Sequence, residues 1–190
     1  MGLTLTCVLA VLLGAVTWAG APGVRPVADT GRAAAATPAG RHADPELEAM
    51  LPRALGGAPL VVESQAGTDL STRSAAFDGF LTRLGRSRAE FTVASAYSDR
   101  GLRAEIGAWR VRGAAPDAML DGLVAAMQAA SSVPLTVVPE TLAGQSVTRI
   151  GDPGQLARGP LWVIARDGVL LFVQTPDRAL AEEAIGKLAG

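Results

Sequence analysis

The chain is poor in the side chains that most chemistry needs. Its 190 residues include one cysteine, Cys7, and one histidine, His42. Cys7 stands inside an apolar N-terminal run. The rest of the chain can therefore form no intrachain disulfide, no thiolate metal site and no cysteine nucleophile. His42 falls in a stretch that reads as linker, which leaves a Ser-His-acid arrangement without its base. Aromatic residues make up 4%, too few for a platform on which single-stranded nucleic acid stacks. A net charge of −1 exerts no strong pull on nucleic acid or on an anionic membrane. Apart from Lys187 the basic residues are all arginine, a bias of the kind a GC-rich genome imposes.

Catalytic motifs are equally thin. Gly144-Gln145-Ser146-Val147-Thr148 comes nearest to a Gly-x-Ser-x-Gly elbow and fails at its last position. Gly151-Asp152-Pro153-Gly154 lacks the Gly-Lys-Ser/Thr ending of a phosphate loop. Gly56-Gly57 reads as the C-terminal cap of a helix. Asp117 and Asp121 share a helical face, a spacing open to Ca²⁺ or Mg²⁺. The simpler reading puts Asp117 at the helix N-terminus and Asp121 in water. No catalytic, cofactor or metal site is expected.

What is present is clearest at residues 161–190. Two β-rich runs, Leu161-Trp162-Val163-Ile164-Ala165-Arg166 and Val169-Leu170-Leu171-Phe172-Val173-Gln174, flank Asp167-Gly168. This pair suits a type I′ turn, in which both central residues have positive φ. The turn pairs Arg166 with Val169, Ile164 with Leu171 and Trp162 with Val173 on one face. It pairs Ala165 with Leu170 and Val163 with Phe172 on the other. Both faces are apolar, so the hairpin is expected at the centre of the sheet, or under helices on one side and a partner on the other. Thr175-Pro176-Asp177 then opens a helix, with Thr175 as its N-cap. Leu180, Ala184, Ile185 and Leu188 form its apolar stripe, and Glu183 stands four residues before Lys187.

Residues 1–24 carry no charge and residues 3–19 are almost wholly apolar or small. They read as an export signal or membrane anchor over residues 1–23, followed by a flexible Ala/Gly/Pro/Thr-rich linker over 24–43. A single domain is expected over 44–190. Asp44-Pro45-Glu46 opens a short helix bearing Leu47, Met50 and Leu51, and residues 59–64 form a strand. Ser74 opens a helix with Phe77, Phe80, Leu81 and Leu84 on one side, closed by Gly85. Residues 91–97 form a strand. Residues 102–109 form a half-buried strand with Arg103, Glu105, Gly107 and Trp109 on its wet face and a bulge at Gly107. A helix from Pro116 presents Leu120, Leu123, Val124 and Met127. Two more strands, 135–138 and 145–150, flank Leu142-Ala143-Gly144, and residues 151–160 are loop. The helix-plus-hairpin pattern occurs twice, at 74–111 and 116–150. The fold class is α+β: a mostly antiparallel sheet of about seven strands with helices packed on it.

This run of short elements, together with the Arg166-Asp167-Gly168-Val169 hairpin and the helix after it, resembles the small exported α+β domains of high-GC bacteria over residues 45–190. The resemblance implies location and general build, and no activity. Two surfaces are candidates for function. Arg83, Arg86, Arg88, Arg100 and Arg103 crowd together in sequence, with Arg110 and Arg112 beyond, and would suit an anion or an acidic partner. Phe77, Phe80, Met127, Trp162 and Phe172 would line a cavity for an apolar ligand between sheet and helices. The expected function is that of a secreted or extracytoplasmic, non-enzymatic module. It would bind an envelope protein or another envelope component, without nucleic acid, and would touch the membrane only through residues 1–23 if these are retained. The alternative is a carrier of an apolar ligand such as a lipid.

Overall fold

A computed structural model describes residues 42–70, 74–98, 102–166 and 168–189. The expected signal or anchor and the linker up to residue 41 lie outside the described residues, as do Arg100 and Asp167. A seven-stranded antiparallel sheet dominates the fold, in the order β3-β4-β5-β9-β8-β7-β6. Its strands are β3 (Val61–Ala66), β4 (Phe91–Tyr97), β5 (Glu105–Val111), β6 (Thr136–Leu142), β7 (Gln145–Gly151), β8 (Leu161–Arg166) and β9 (Val169–Gln174). The C-terminal hairpin takes the middle places. It enters between the two earlier hairpins, β4–β5 and β6–β7, so the repeated helix-plus-hairpin pattern ends as the two flanks of one sheet. Its register is the one the Asp-Gly turn dictates: Arg166 opposite Val169, Ile164 opposite Leu171, Trp162 opposite Val173. Gly168 has φ +71°, as a type I′ turn demands.

Helices cover both faces. On one lie α2 (Ala75–Arg83) and α3 (Pro116–Ala130), sealing Phe91, Trp109, Val163, Leu170 and Phe172. On the other lie α1 (Pro45–Ala49), α5 (Arg178–Ala189) and a two-residue ladder, β1 (Ala54–Leu55) with β2 (Ala58–Pro59). These seal Ile106, Ala108, Trp162, Ile164, Leu171 and Val173. The apolar run of each central strand is thereby explained, because neither of its faces meets water. For the same reason the strand expected to be half-buried is not. Trp109, placed on a wet face by alternation, is 1% exposed. Gly107 makes no bulge and stays in register with Ser95 and Phe172. A Cβ there would lie 2.4 Å from Phe172 Cζ, so the glycine makes room for that ring.

Other expectations are corrected locally. Residues 151–160 contain α4 (Pro153–Arg158). Gly56-Gly57, with φ of +55° and +73°, turns the β1–β2 ladder and caps no helix. Asp177, not Thr175, caps α5: its Oδ1 accepts from Ala179 N at 2.9 Å. The Thr175 hydroxyl instead donates to Arg103 O at 2.8 Å. The buried side of α3 runs through Met119, Gly122, Leu123, Ala126 and Met127, with Leu120 and Val124 half-buried at its margin. His42 and Ala43, read as linker, lie against β3, where His42 bridges Ser64 and Ala43 N donates to Ser64 O.

Candidate functional site

The four described arginines of this group, Arg83, Arg86, Arg88 and Arg103, do not make one surface. Arg86 donates to Gly113 O at 2.7 Å and to Glu90 at 3.3 Å, tying the end of β5 to the turn before β4. Arg88 holds Asp78 at 2.8 Å and lies over the Phe77 ring at 5.2 Å. Arg83 and Arg103 are exposed. Arg83 lies near the end of β5 that Arg86 braces, and Arg103 precedes the start of β5. The strand between them is about 20 Å long at the usual rise per residue. Arg110 is committed elsewhere, reaching Asp44 Oδ2 at 2.7 Å.

The apolar five are split as well. Phe77, Phe80, Met127 and Phe172 share one core layer, while Trp162 lies across the sheet in the other. In the first layer the rings touch. Phe77 and Phe91 have centroids 4.8 Å apart, and Trp109 stands 5.7 Å from each of Phe80, Phe91 and Phe172. Edge contacts of this kind suit a packed aromatic core. The Trp162 indole N–H donates to Glu140 at 2.8 Å, and Arg149 donates to the other oxygen of that carboxylate at 2.9 Å.

A histidine, a carboxylate and a serine do meet, which sequence spacing did not reveal. His42 Nδ1 stands 3.0 Å from both oxygens of Glu48, and Ser64 Oγ donates to Glu48 Oε1 at 2.7 Å. Here the acid stands between histidine and serine, so the imidazole has no access to the hydroxyl proton. Ser64 is 1% exposed and also accepts from Asp44 N at 2.8 Å. The cluster pins residues 42–44 to β3 and does not activate a nucleophile.

The site that remains lies where the helices stop. On the face covered by α2 and α3, the last cross-strand row runs Val61, Tyr97, Glu105, Gln174, Leu161, Ile150, Val137. Paired registers link all but Tyr97 and Glu105, which are adjacent as the β4–β5 ladder continues. The next row inward runs Glu63, Ser95, Gly107, Phe172, Val163, Thr148, Pro139. The C-terminal half of α3 covers the middle of the outer row, where Leu161 and Ile150 are sealed. Over β3, β4 and β5 the cover is lost. Along β4 the burial falls from Phe91 and Val93 to half-buried Ser95 and Tyr97. Val61 is 49% exposed, Glu105 is exposed and Glu63 half-buried.

Glu105, on this face, has a raised pKa. It keeps solvent contact, yet the protein around it desolvates the carboxyl and pushes its pKa up. No hydrogen bond or ion pair among the described residues reaches it. Among the described residues no group of three or more His, Cys, Asp or Glu side chains is placed to hold a metal ion, and no helix is long and apolar enough to cross a membrane. Alternation along each strand placed these side chains on one face, but only the sheet order could bring Val61, Tyr97, Glu105 and Gln174 into one row.

Fold and site together define an α+β domain built on a seven-stranded antiparallel sheet between two helical layers, with one end of one sheet face uncovered by helix among the described residues. The chain matches no protein-family model, no curated protein and no solved structure with which it was compared.

Proposed function

We propose that this domain is a non-enzymatic binding module, exported or membrane-anchored through residues 1–23, which receives a partner protein on the open end of its sheet. The observation that carries the reading is the loss of helical cover over β3, β4 and β5. It leaves exposed Val61 beside half-buried Tyr97, Ser95 and Glu63 and exposed Glu105. An exposed valine beside a tyrosine, with polar groups around them, has the apolar centre and polar rim that protein interfaces use. The ring-to-ring packing of Phe77, Phe80, Phe91, Trp109 and Phe172 favours this reading over a lipid carrier. The apolar run at residues 3–19 supports an extracytoplasmic location.

The test is photocrosslinking in the native host, with a benzophenone amino acid placed at Val61 or, as control, at exposed Asp121 on α3. A discrete protein adduct from position 61 and none from position 121 is expected. Failure to crosslink at 61, or an adduct that organic solvent extracts as lipid, overturns the reading.

A further inference from the structure

The corner where α3 gives way to β6 is exposed, apolar and without charge. Residues 122–139 contain no Asp, Glu, Lys or Arg. Among them Ala129, Ala130, Val133, Pro134, Val137 and Pro139 are exposed, Val133 by 43% and Val137 by 42%. The turn around Val133 satisfies its own backbone. Gln128 donates from Nε2 to Val133 O at 3.2 Å and accepts from Leu135 N at 2.9 Å. Ser131 Oγ donates to the same carbonyl at 2.8 Å and accepts from Val133 N at 3.3 Å. Pro134 has no N–H to satisfy. A turn paired in this way can leave water without stranding those groups, which is what hydrocarbon demands of a backbone. Glu140, the first charge after this run, is paired with Arg149 at 2.9 Å and bonded to Trp162 on the other face of the sheet. The place of the corner matches its character. Val137 ends the outer row that begins at Val61, so both stand at one end of the sheet. His42 bridges Ser64 in parallel and Ala43 N donates to Ser64 O. The chain therefore enters the fold from the Val61 end of β3, the end that carries the corner.

We propose that Val133, Pro134 and Val137 dip into the bilayer that holds residues 1–23, and so fix how the domain stands against the membrane. The occupant is lipid because the corner offers neither the arginine nor the aromatic anchors that protein interfaces use. It also carries no charge that an apolar medium would have to desolvate. A few apolar side chains hold a bilayer only marginally, as a single acyl chain does. The contact therefore depends on the covalent link to the apolar run at residues 3–19, which keeps the corner at high effective concentration beside the lipid. It adds a second membrane contact to the one expected through residues 1–23 alone. The inference rests on the reading that those residues are retained as an anchor, and it is independent of the partner at the open end of the sheet.

The test uses the full chain reconstituted in phosphatidylcholine vesicles, with Cys7→Ser and a nitroxide attached at Val133→Cys or Val137→Cys. A nitroxide at Asp121→Cys, on the exposed side of α3, is the control. Flotation reports whether the chain stays with the vesicles. Collision with oxygen and with a nickel chelate then reports the depth of each label. The label at 133 is expected about 5–10 Å below the phosphates, and the label at 121 in water. Adding Pro134→Asp should return the label at 133 to water while circular dichroism stays unchanged. A floating chain with the label at 133 in water overturns the corner contact and keeps the anchor. Equal depths at 133 and 121 overturn it as well. A chain that does not float rejects the anchor reading and this inference with it. Protection of position 133 in membranes of the native host, with none in pure lipid, would assign the corner to a protein and overturn the lipid contact.

Discussion

At the scale of single residues, Glu105 and Ala143 stand under opposite kinds of strain. The folded state holds the Glu105 carboxyl above its ordinary value of 4.5, and desolvation is the cause. Ionisation is therefore harder in the folded chain than in the unfolded one. Below pH 4.5 both states are protonated and the group costs nothing. The cost grows as pH rises from 4.5 to the raised value and is complete above it. Glu105→Gln should accordingly raise the melting temperature at pH 7 and leave it unchanged near pH 3.5, as thermal melts at the two pH values would read. No gain at pH 7 would mean that the carboxyl is well solvated. Glu90 works the other way. Hydrogen bonds from the Ser87 backbone and hydroxyl hold its pKa low, so its contribution is present at neutral pH and fades as acid protonates it. Ala143 is the described non-glycine residue with positive φ, +51°, and with Gly144 at +76° it makes the β6–β7 turn. An L-residue pays about 1 kcal/mol for the left-handed region. Ala143→Gly should therefore stabilise the domain by up to about 1 kcal/mol in urea titration, offset in part by the extra freedom glycine has when unfolded.

At the scale of elements, the central hairpin is held by a glycine on its neighbour. Phe172 leans over Gly107, so that a Cβ at Gly107 would stand 2.4 Å from the ring and 2.9 Å from Ala94 O. Gly107→Ala must shift either the ring or the β4 backbone. A cost of about 1–3 kcal/mol is expected from overpacking of this kind, readable as a fall in the urea midpoint at unchanged slope. The N-terminal segment is held by a different device. Glu48 is 5% exposed, accepts from Ser64 and His42, and sits one turn from the Asp44 cap. Glu48→Ala should remove the acceptor shared by His42 and Ser64, leave the buried hydroxyl with one fewer partner, and cost about 1–3 kcal/mol. Limited proteolysis should then cut near residue 42 before the rest of the domain. The outer edge of the sheet is guarded. β6 is an edge strand, and its Pro139 stands opposite Thr148, in alternation with the hydrogen-bonded pair that closes a two-residue turn. Its missing N–H is one that would point outward, so the edge cannot offer a full ladder to another strand.

At the scale of the whole molecule, the helical layers decide what the face can do. Because α2 and α3 end short of the outer row over β3, β4 and β5, the same sheet face is a sealed core at one end and is partly exposed at the other. Replacing exposed Val61 with aspartate should abolish partner crosslinking from a neighbouring probe while moving the urea midpoint little, since a surface change of this kind is worth within about 0.5 kcal/mol. A large loss of stability instead would show that Val61 serves the fold.

Much of this could be read from residue order, and the reason is locality. The Asp167-Gly168 pair in the sequence predicts the β8–β9 register, and the strands adopt it, with Arg166 opposite Val169. The doubly apolar hairpin announces a central position, and Glu183 meets Lys187 at 2.7 Å because four residues make about one helical turn. Asp44 and Ser74 cap the helices they precede. What could not be read there depends on which strands become neighbours. Glu105 and Gln174 are 69 positions apart in the chain and face each other only because β9 inserts beside β5. Trp109 alternates onto a face that looks wet until α2 and α3 cover it. His42 reads as linker until Ser64 and Glu48 arrive on two other elements. Local turn, cap and periodicity energies act over a few residues and are written in sequence order. Burial, cross-strand rows and the open end of the sheet arise from contacts between distant segments, and those exist only once the layers have closed.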